Sequence, residues 1–298
     1  MNYPLSLGGA GVIFYVQPNH FLYQTMNNPT QPTTLENAKL PAAAYSIVNP
    51  NGSSDWLFVC EHASNGIPPQ LHRLGLPVEV LQTHIAYDIG AAEMTCYLAE
   101  QLDATAVLCN YSRLVIDCNR ALGDAACMPA VSDTVNIPAN HNLSAEQRRA
   151  RIEQIYRPFH TAVFNVLTDK MAGNPNMKIA NIHSFTPMLA QTGEPRPWHI
   201  GFVYRDHPQG RQLTQAIMND FCTHTNYCIG DNEPYNGFLY KGYTVPAHAE
   251  AQDIASVLVE FRQDLINTPA GVRHWGDLLL SAMHRQSTSH PTGHHEQH

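Results

Sequence analysis

Short apolar runs separated by stretches of helical character constrain this chain more than any other feature. The runs fall at residues 56–60, 104–108, 178–182, 200–204 and 256–261, with helical stretches at 78–102 and after Ser144. Strands alternating with helices predict an α/β domain on a mostly parallel sheet, because parallel neighbours need a crossover that a helix supplies. In the stretch after Asn142, Ser144 and Gln147 make a capping-box pair, and Ile152, Ile155, Phe159 and Val163 recur at helical spacing. Its Arg148, Arg149 and Arg151 read as a solvated face.

A chain of 298 residues can bury one large core and still hold a cleft. With 44% hydrophobic and 14% charged residues it has the make-up of a globular protein, so disorder is expected only at the ends. Residues 1–45, rich in Asn, Gln, Pro and Thr, read as an arm laid over a single catalytic α/β domain at 46–285. Residues 286–298, with His290, His294, His295 and His298, read as a disordered tail. A net charge of -8 argues against nucleic acid or an anionic membrane as partner. The apolar run at 5–16 is too short to span a bilayer, contains Gly8, Gly9 and Gly11, and follows no basic segment. The seven cysteines include no C-x-x-C pair, and read as reduced thiols of a cytoplasmic protein.

Three strands carry polar residues that a purely structural strand avoids. Glu61-His62-Ala63-Ser64-Asn65 follows the first, His183-Ser184 follows 178–182, and Glu260 lies inside Val257-Leu258-Val259-Glu260-Phe261. Ligands of open parallel sheets bind beyond the carboxyl ends of the strands, so His62 and His183 are expected to face one crevice. Two imidazoles and a third oxygen ligand are a donor set for zinc, with one position left for water. Each histidine also has a plainer reading as a hydrogen-bonded core or surface residue.

A second element is Tyr111-Ser112-Arg113-Leu114-Val115-Ile116-Asp117-Cys118-Asn119-Arg120. Two arginines, an aspartate and an asparagine around a short apolar strand are costly unless paired with each other or with a ligand. Arg120 with Asn119 suits a substrate carboxylate, and Arg113 suits a developing oxyanion. An internal Asp117–arginine ion pair explains the same residues.

Five ordered stretches, Cys60-Glu-His-Ala-Ser-Asn65, Ala86-Tyr-Asp-Ile-Gly90, Ser112 to Arg120, Ile182-His-Ser-Phe-Thr-Pro187 and Val259-Glu-Phe-Arg-Gln-Asp264, resemble the N-formylglutamate amidohydrolase family over about residues 55–268. The resemblance implies a three-layer α/β sandwich with a central mixed, mostly parallel sheet, similar to the zinc carboxypeptidases and to the phosphorylase/hydrolase-like folds. It implies hydrolysis of a small anionic N-acyl amino acid, best N-formyl-L-glutamate, by a Zn²⁺ enzyme, a reaction the family name links to histidine breakdown. Carried over by position, His62 and His183 look like zinc ligands, Asn119 and Arg120 like a carboxylate clamp, Arg113 like the oxyanion stabiliser and Glu260 like the general base.

Where carboxypeptidase-type sites have His-x-x-Glu, this chain has Asn65, so the third ligand lies among Asp88, Asn65 and Glu61. Asp88 is preferred because a carboxylate binds Zn²⁺ better than an amide does, and its other reading is to orient a ligand histidine. Adjacent extended residues point to opposite sides, which argues against Glu61 beside His62. His248 and Tyr243 lie in a loop that reads either as closing over substrate or as ordinary loop packing, with packing favoured for Tyr243, and Arg205 reads either as binding a second carboxylate or as a surface arginine. Hydrolysis of another N-acyl amino acid or a short peptide, and metal-free carboxylate binding, are the alternatives.

Overall fold

The computed structural model describes residues 35, 40–239 and 242–287, so the expected 1–45 arm and 286–298 tail lie almost wholly outside the described residues. Strand β1 (Tyr45–Val48) leads to β2 (Trp56–Cys60), all of whose residues are buried. Trp56, Phe58 and Cys60 join one apolar cluster and Leu57 and Val59 another. A strand apolar at every position is stable only with both faces covered, and here both are.

The chain continues through α1 (Ala91–Gln101), β3 (Thr105–Cys109), a small hairpin of β4 (Val131–Ser132) and β5 (Val135–Asn136), α2 (Ala145–Arg151) and α3 (Arg157–Gly173). Next come β6 (Lys178–Phe185), β7 (Ile200–Val203), α4 (Pro208–His224), β8 (Ile229–Asp231), β9 (Ala255–Arg262), α5 (Gln263–Ile266) and α6 (Pro269–Ser287). The main sheet has the order β1-β3-β2-β6-β9-β7-β8. Strands β3, β2, β6 and β9 run parallel, β1 is antiparallel at one edge, and β7 and β8 run against β9. Met94 and Leu98 of α1, Ile217 and Phe221 of α4, and Trp275 and Leu279 of α6 cover one face. Phe159, Val163 and Leu167 of α3, with Leu114, Val115 and Ile116, cover the other. This is the expected three-layer α/β sandwich on a mixed, mostly parallel sheet. No described helix is long and apolar enough to cross a membrane.

Three local expectations are corrected. The helix expected across 78–102 forms only at Ala91–Gln101, after turns that carry Asp88 to the near side of it. Residues 114–116 are buried turns rather than a strand, and their side chains pack onto α3. The helix after Ser144 has the expected capping box but widens into a π-helical stretch at Ile152–Tyr156 before α3. Pro158 accounts for the widening, because it lacks the N–H for an i→i−4 bond and its ring crowds the carbonyl four residues back.

Arg151 also departs from the solvated face. It is 1% exposed, and its Nη1 donates to the Val115 carbonyl (2.8 Å) and Asn140 Oδ1 (2.7 Å). Asn140 in turn donates to the carbonyls of Leu114 and Pro129, so one arginine braces the irregular segment that carries Arg113 to Arg120. Burial pushes its pKa down to about 10, with Arg148 adding to the effect, which leaves it charged at neutral pH. Arg151→Ala should cost about 3 kcal/mol in urea unfolding by stranding buried acceptors, whereas Arg149→Ala should stay within about 0.5 kcal/mol.

Candidate active site

The β6–β9 register builds the site. His183 pairs with Glu260 and Asn181 with Leu258, and alternation puts all four on the sheet face opposite Ile182 and Val259. Strand β6 runs through to Phe185, so His183 is a strand residue rather than one that follows a strand. Beside it β2 ends at Cys60, and Asn181 Nδ2 fastens the exit by donating to the Val59 carbonyl (3.1 Å) and to Glu61 Oε2 (2.7 Å). The chain then turns at His62, whose carbonyl accepts from the Asp88 N–H (2.9 Å). Asp88 reaches the site from a tight turn into α1. Gly90 makes that turn with φ 81°, and a Cβ there would collide with the Ile266 carbonyl.

Asp88 Oδ2 lies 3.2 Å from His62 Nδ1, 2.8 Å from His183 Nδ1 and 3.3 Å from the Ser184 N–H. The opposite nitrogens also meet carboxylates: His62 Nε2 stands 2.8 Å from Asp117 Oδ1, and His183 Nε2 stands 3.3 Å from Glu61 Oε2. Carboxylates only accept, so each imidazole carries protons toward both partners. Burial, the largest effect, and the Arg113 charge pull the His62 pKa down, but Asp117 and Asp88 more than reverse them and the net shift is upward. Burial is likewise overridden at His183, where Asp88 and Glu61 raise the pKa well above the usual value. Burial alone would raise the Asp88 and Asp117 carboxyls, yet the imidazoles, with Arg113 at Asp117, hold both below the ordinary range. Glu61 is drawn down against burial to about 2, chiefly by His183.

His62, Asp88 and His183 each offer a buried ligand atom, and these lie within 4.8 Å of one another. Two imidazoles and one carboxylate form the donor set of a catalytic zinc site, and the Asp117 and Glu61 carboxylates behind the rings supply the outer partners such ligands ordinarily have. The donor chemistry therefore fits a divalent cation. Asn65 turns away and donates to the Leu81 carbonyl (2.9 Å), and Glu61 lies behind His183.

Arg113 spans the two carboxylates, with Nη2 2.9 Å from Asp117 Oδ2 and Nη1 3.5 Å from Asp88 Oδ1. Asn119 is 1% exposed and its Oδ1 accepts from the Tyr243 and Thr244 N–H groups (2.9 and 3.1 Å). Its Nδ2 lies 3.4 Å from His183 Nε2, so the amide holds a turn and abuts an imidazole. Arg120 adds its charge to those that lower Asp117, and its carbonyl accepts from the Tyr156 hydroxyl (2.9 Å). Arg205 lies farther along, in a narrow cleft that Asn119, Val245 and Leu258 also line, with its Nε 3.0 and 3.3 Å from the two Glu250 oxygens.

His248 is buried behind this wall and stacks on His160. His160 Nε2 must carry its proton, because it meets the Cys118 carbonyl at 2.9 Å, so His160 Nδ1 accepts from His248 Nε2–H (2.9 Å). Burial pushes both rings down to about 4, with the neighbouring His248 ring adding to the effect at His160, so both are neutral. His248 Nδ1 is left as a buried acceptor with no protein partner, like Glu260 Oε2, Glu61 Oε1 and Asn181 Oδ1. The sequence reading missed Asn181, which its same-face spacing from His183 could have revealed, and His160, Tyr235 and Arg196, which no local pattern marks.

The fold and the matches to known proteins define an amidohydrolase, an enzyme that cleaves a carbon–nitrogen amide bond. The family model described as N-formylglutamate amidohydrolase matches residues 54–267, and the chain belongs to that family. A crystal structure of a gene product from Agrobacterium tumefaciens is 31% identical, with a TM-score of 0.75 over 83% of this chain and 97% of that one. The N-formylglutamate amidohydrolase of Ralstonia eutropha JMP134 shares the fold at 17% identity, with a TM-score of 0.56 over 83% and 98% of the two chains. No curated relative matches by sequence.

Two outcomes follow from this geometry. Asp117→Asn keeps an acceptor oxygen but removes the negative charge that faces His62 Nε2, and should weaken divalent-cation binding by about 10- to 100-fold in a chelator competition. In chelator-treated protein, raised histidine pKa values stabilise the fold below the ordinary value of 6.5, and that contribution is lost as pH climbs through them. The thermal midpoint should therefore fall as pH rises above 6.5 in chelator-treated protein and hold or rise in Zn²⁺-loaded protein, whose ligands must be deprotonated.

Proposed function

We propose that this amidohydrolase is zinc-dependent and acts on a small carboxylate-bearing N-acyl amino acid, converting N-formyl-L-glutamate and water to L-glutamate and formate. The observation that carries the reading is the convergence of His62, Asp88 and His183 on the strand face where Glu260 keeps one carboxylate oxygen unpartnered. A Zn²⁺ ion held by these three residues supplies Lewis acidity toward the acyl carbonyl and acidifies water.

Glu260 takes a proton from the attacking water and returns it to the leaving amine nitrogen as the acyl C–N bond breaks. Burial pushes its carboxyl up to about 7, a value matched to proton transfer near neutral pH. Arg113 directs its charge to the Asp88 side of the site, where negative charge on the carbonyl oxygen is stabilised. Arg120 holds a substrate carboxylate, and His248 Nδ1 accepts the substrate amide N–H. Metal-free carboxylate binding is disfavoured, because the cations His62, His183 and Arg113 already face Asp88, Asp117 and Glu61, which leaves them little charge to offer an anion. Seven unpaired thiols suit a reducing compartment, so the proposed setting is the cytoplasm.

Formate release from N-formyl-L-glutamate should vanish on chelation and return with Zn²⁺. Glu260→Gln should lower kcat by about 10³-fold with zinc still bound at one equivalent. An active Glu260→Gln enzyme removes Glu260 as the base, and equal rates on N-acetyl-L-glutamate remove the formyl preference.

A further inference from the structure

The amide-cleaving machinery leaves one well-positioned cation unused. Arg196 lies on the return arm of the β6–β7 connection, where its N–H donates to the Pro187 carbonyl (2.8 Å). Its Nη1 reaches the Tyr235 hydroxyl at 3.4 Å and the Thr186 carbonyl at 3.5 Å. Its guanidinium carbon stands 5.8 Å from the centre of the Phe185 ring and 5.1 Å from that of Tyr235. Among the described residues no carboxylate pairs with it, which separates it from Arg113, held by Asp88 and Asp117, and from Arg205, held by Glu250.

The two rings fix where that cation stands. Phe185 follows Asn181 and His183 on the same face of β6, one pleat beyond His183. Tyr235 belongs to a turn tied to β7, where Asn232 Oδ1 accepts from the Tyr204 and Gly237 N–H groups (3.0 and 3.1 Å). That turn lies against Gly201, the register partner of Glu260, and a Cβ at Gly201 would collide with the Glu233 carbonyl. Burial and the Glu260 charge raise the Tyr235 pKa, with Arg196 and Arg113 opposing, so all four groups share one electrostatic neighbourhood. The loop bearing Arg196 is itself anchored, because Asp133 accepts from the Ala190 and Gln191 N–H groups (3.0 and 2.9 Å) and pairs with His84 Nε2 (3.0 Å).

A planar guanidinium stacked on aromatic faces is pre-organised to meet a carboxylate with two parallel N–H bonds, and here it overhangs the strand ends where substrates of such sheets sit. We propose that Arg196, steadied by Phe185 and Tyr235, binds the side-chain carboxylate of the substrate's amino acid and sets a preference for acidic amino acids, the role the sequence suggested for Arg205. This assignment rests on the amidohydrolase reading above.

N-formyl-L-glutamate and N-formyl-L-glutamine differ only in that carboxylate, so they isolate the effect. Arg196→Gln should lower kcat/KM for N-formyl-L-glutamate by about 100-fold, mainly through KM, while N-formyl-L-glutamine stays within about threefold. Arg196→Lys keeps the charge without the fork, and should lose about tenfold on the acidic substrate alone. Equal losses on both compounds, or none on either, overturn the assignment. Calorimetric binding of L-glutamate and L-glutamine decides it without turnover: a wild-type preference for L-glutamate that collapses in Arg196→Gln supports it, and no wild-type preference overturns it. A wild-type protein that hydrolyses neither formyl compound with Zn²⁺ present removes the catalytic reading and leaves the binding comparison to judge Arg196.

Discussion

At the carboxyl end of the sheet, the Nδ1 atoms of His62 and His183 meet one Asp88 oxygen at 3.2 and 2.8 Å, all three residues being at most 4% exposed. Charges removed from water this far must be matched locally, and each outer nitrogen is matched in turn by Asp117 or Glu61. Arg113 closes the Asp88–Asp117 side, and Asn181 caps Glu61. The network is thus a connected set of acid–imidazole pairs in which protons occupy the inner nitrogens that a divalent cation would otherwise claim. Metal affinity and proton affinity at this point oppose each other.

The sheet and the loops divide the work of holding that network. His183, Asn181 and Glu260 ride on adjacent central strands, whose spacing hydrogen bonds set and both helical layers hold, so their mutual positions are stiff. His62, Asp88 and Asp117 come from turns, and each is tied back: Asp88 through the His62 carbonyl, Asp117 through the Asn119 N–H, and the 84–90 turn through the Ser184 and Ser112 hydroxyls. Asn119, which the family pattern offers as a substrate clamp, braces the turn at Tyr243 and Thr244 and so locates His248.

Along the opposite rim the walls are arginine and aromatic. Phe185 and Tyr235 form a platform for Arg196, while Arg205 is neutralised by Glu250 in a neighbouring cleft.

Much of this was legible in the residues. Apolar runs mark β2, β3, β6, β7 and β9, because a strand buried on both faces can carry little else, and the Ser144–Gln147 pair marks a helix start. His62, His183 and Glu260 stand out because each puts a charge or a proton acceptor where an apolar residue would be cheaper. The sequence did not show that Arg151 is buried rather than solvated, that Asn119 faces inward, or that among the described residues a carboxylate pairs with Arg205 and none with Arg196. Each of those depends on which distant segment packs against the residue, and local spacing carries no information about that. The sequence by itself determined the five apolar strands β2, β3, β6, β7 and β9 and the identity of the polar residues on or just after three of them, but not β1, β8 or the β4–β5 hairpin. The tertiary structure alone decided which carboxylate joins the two histidines, because Asp88 reaches them only after the chain leaves β2, turns at Gly90 and is fastened to β6.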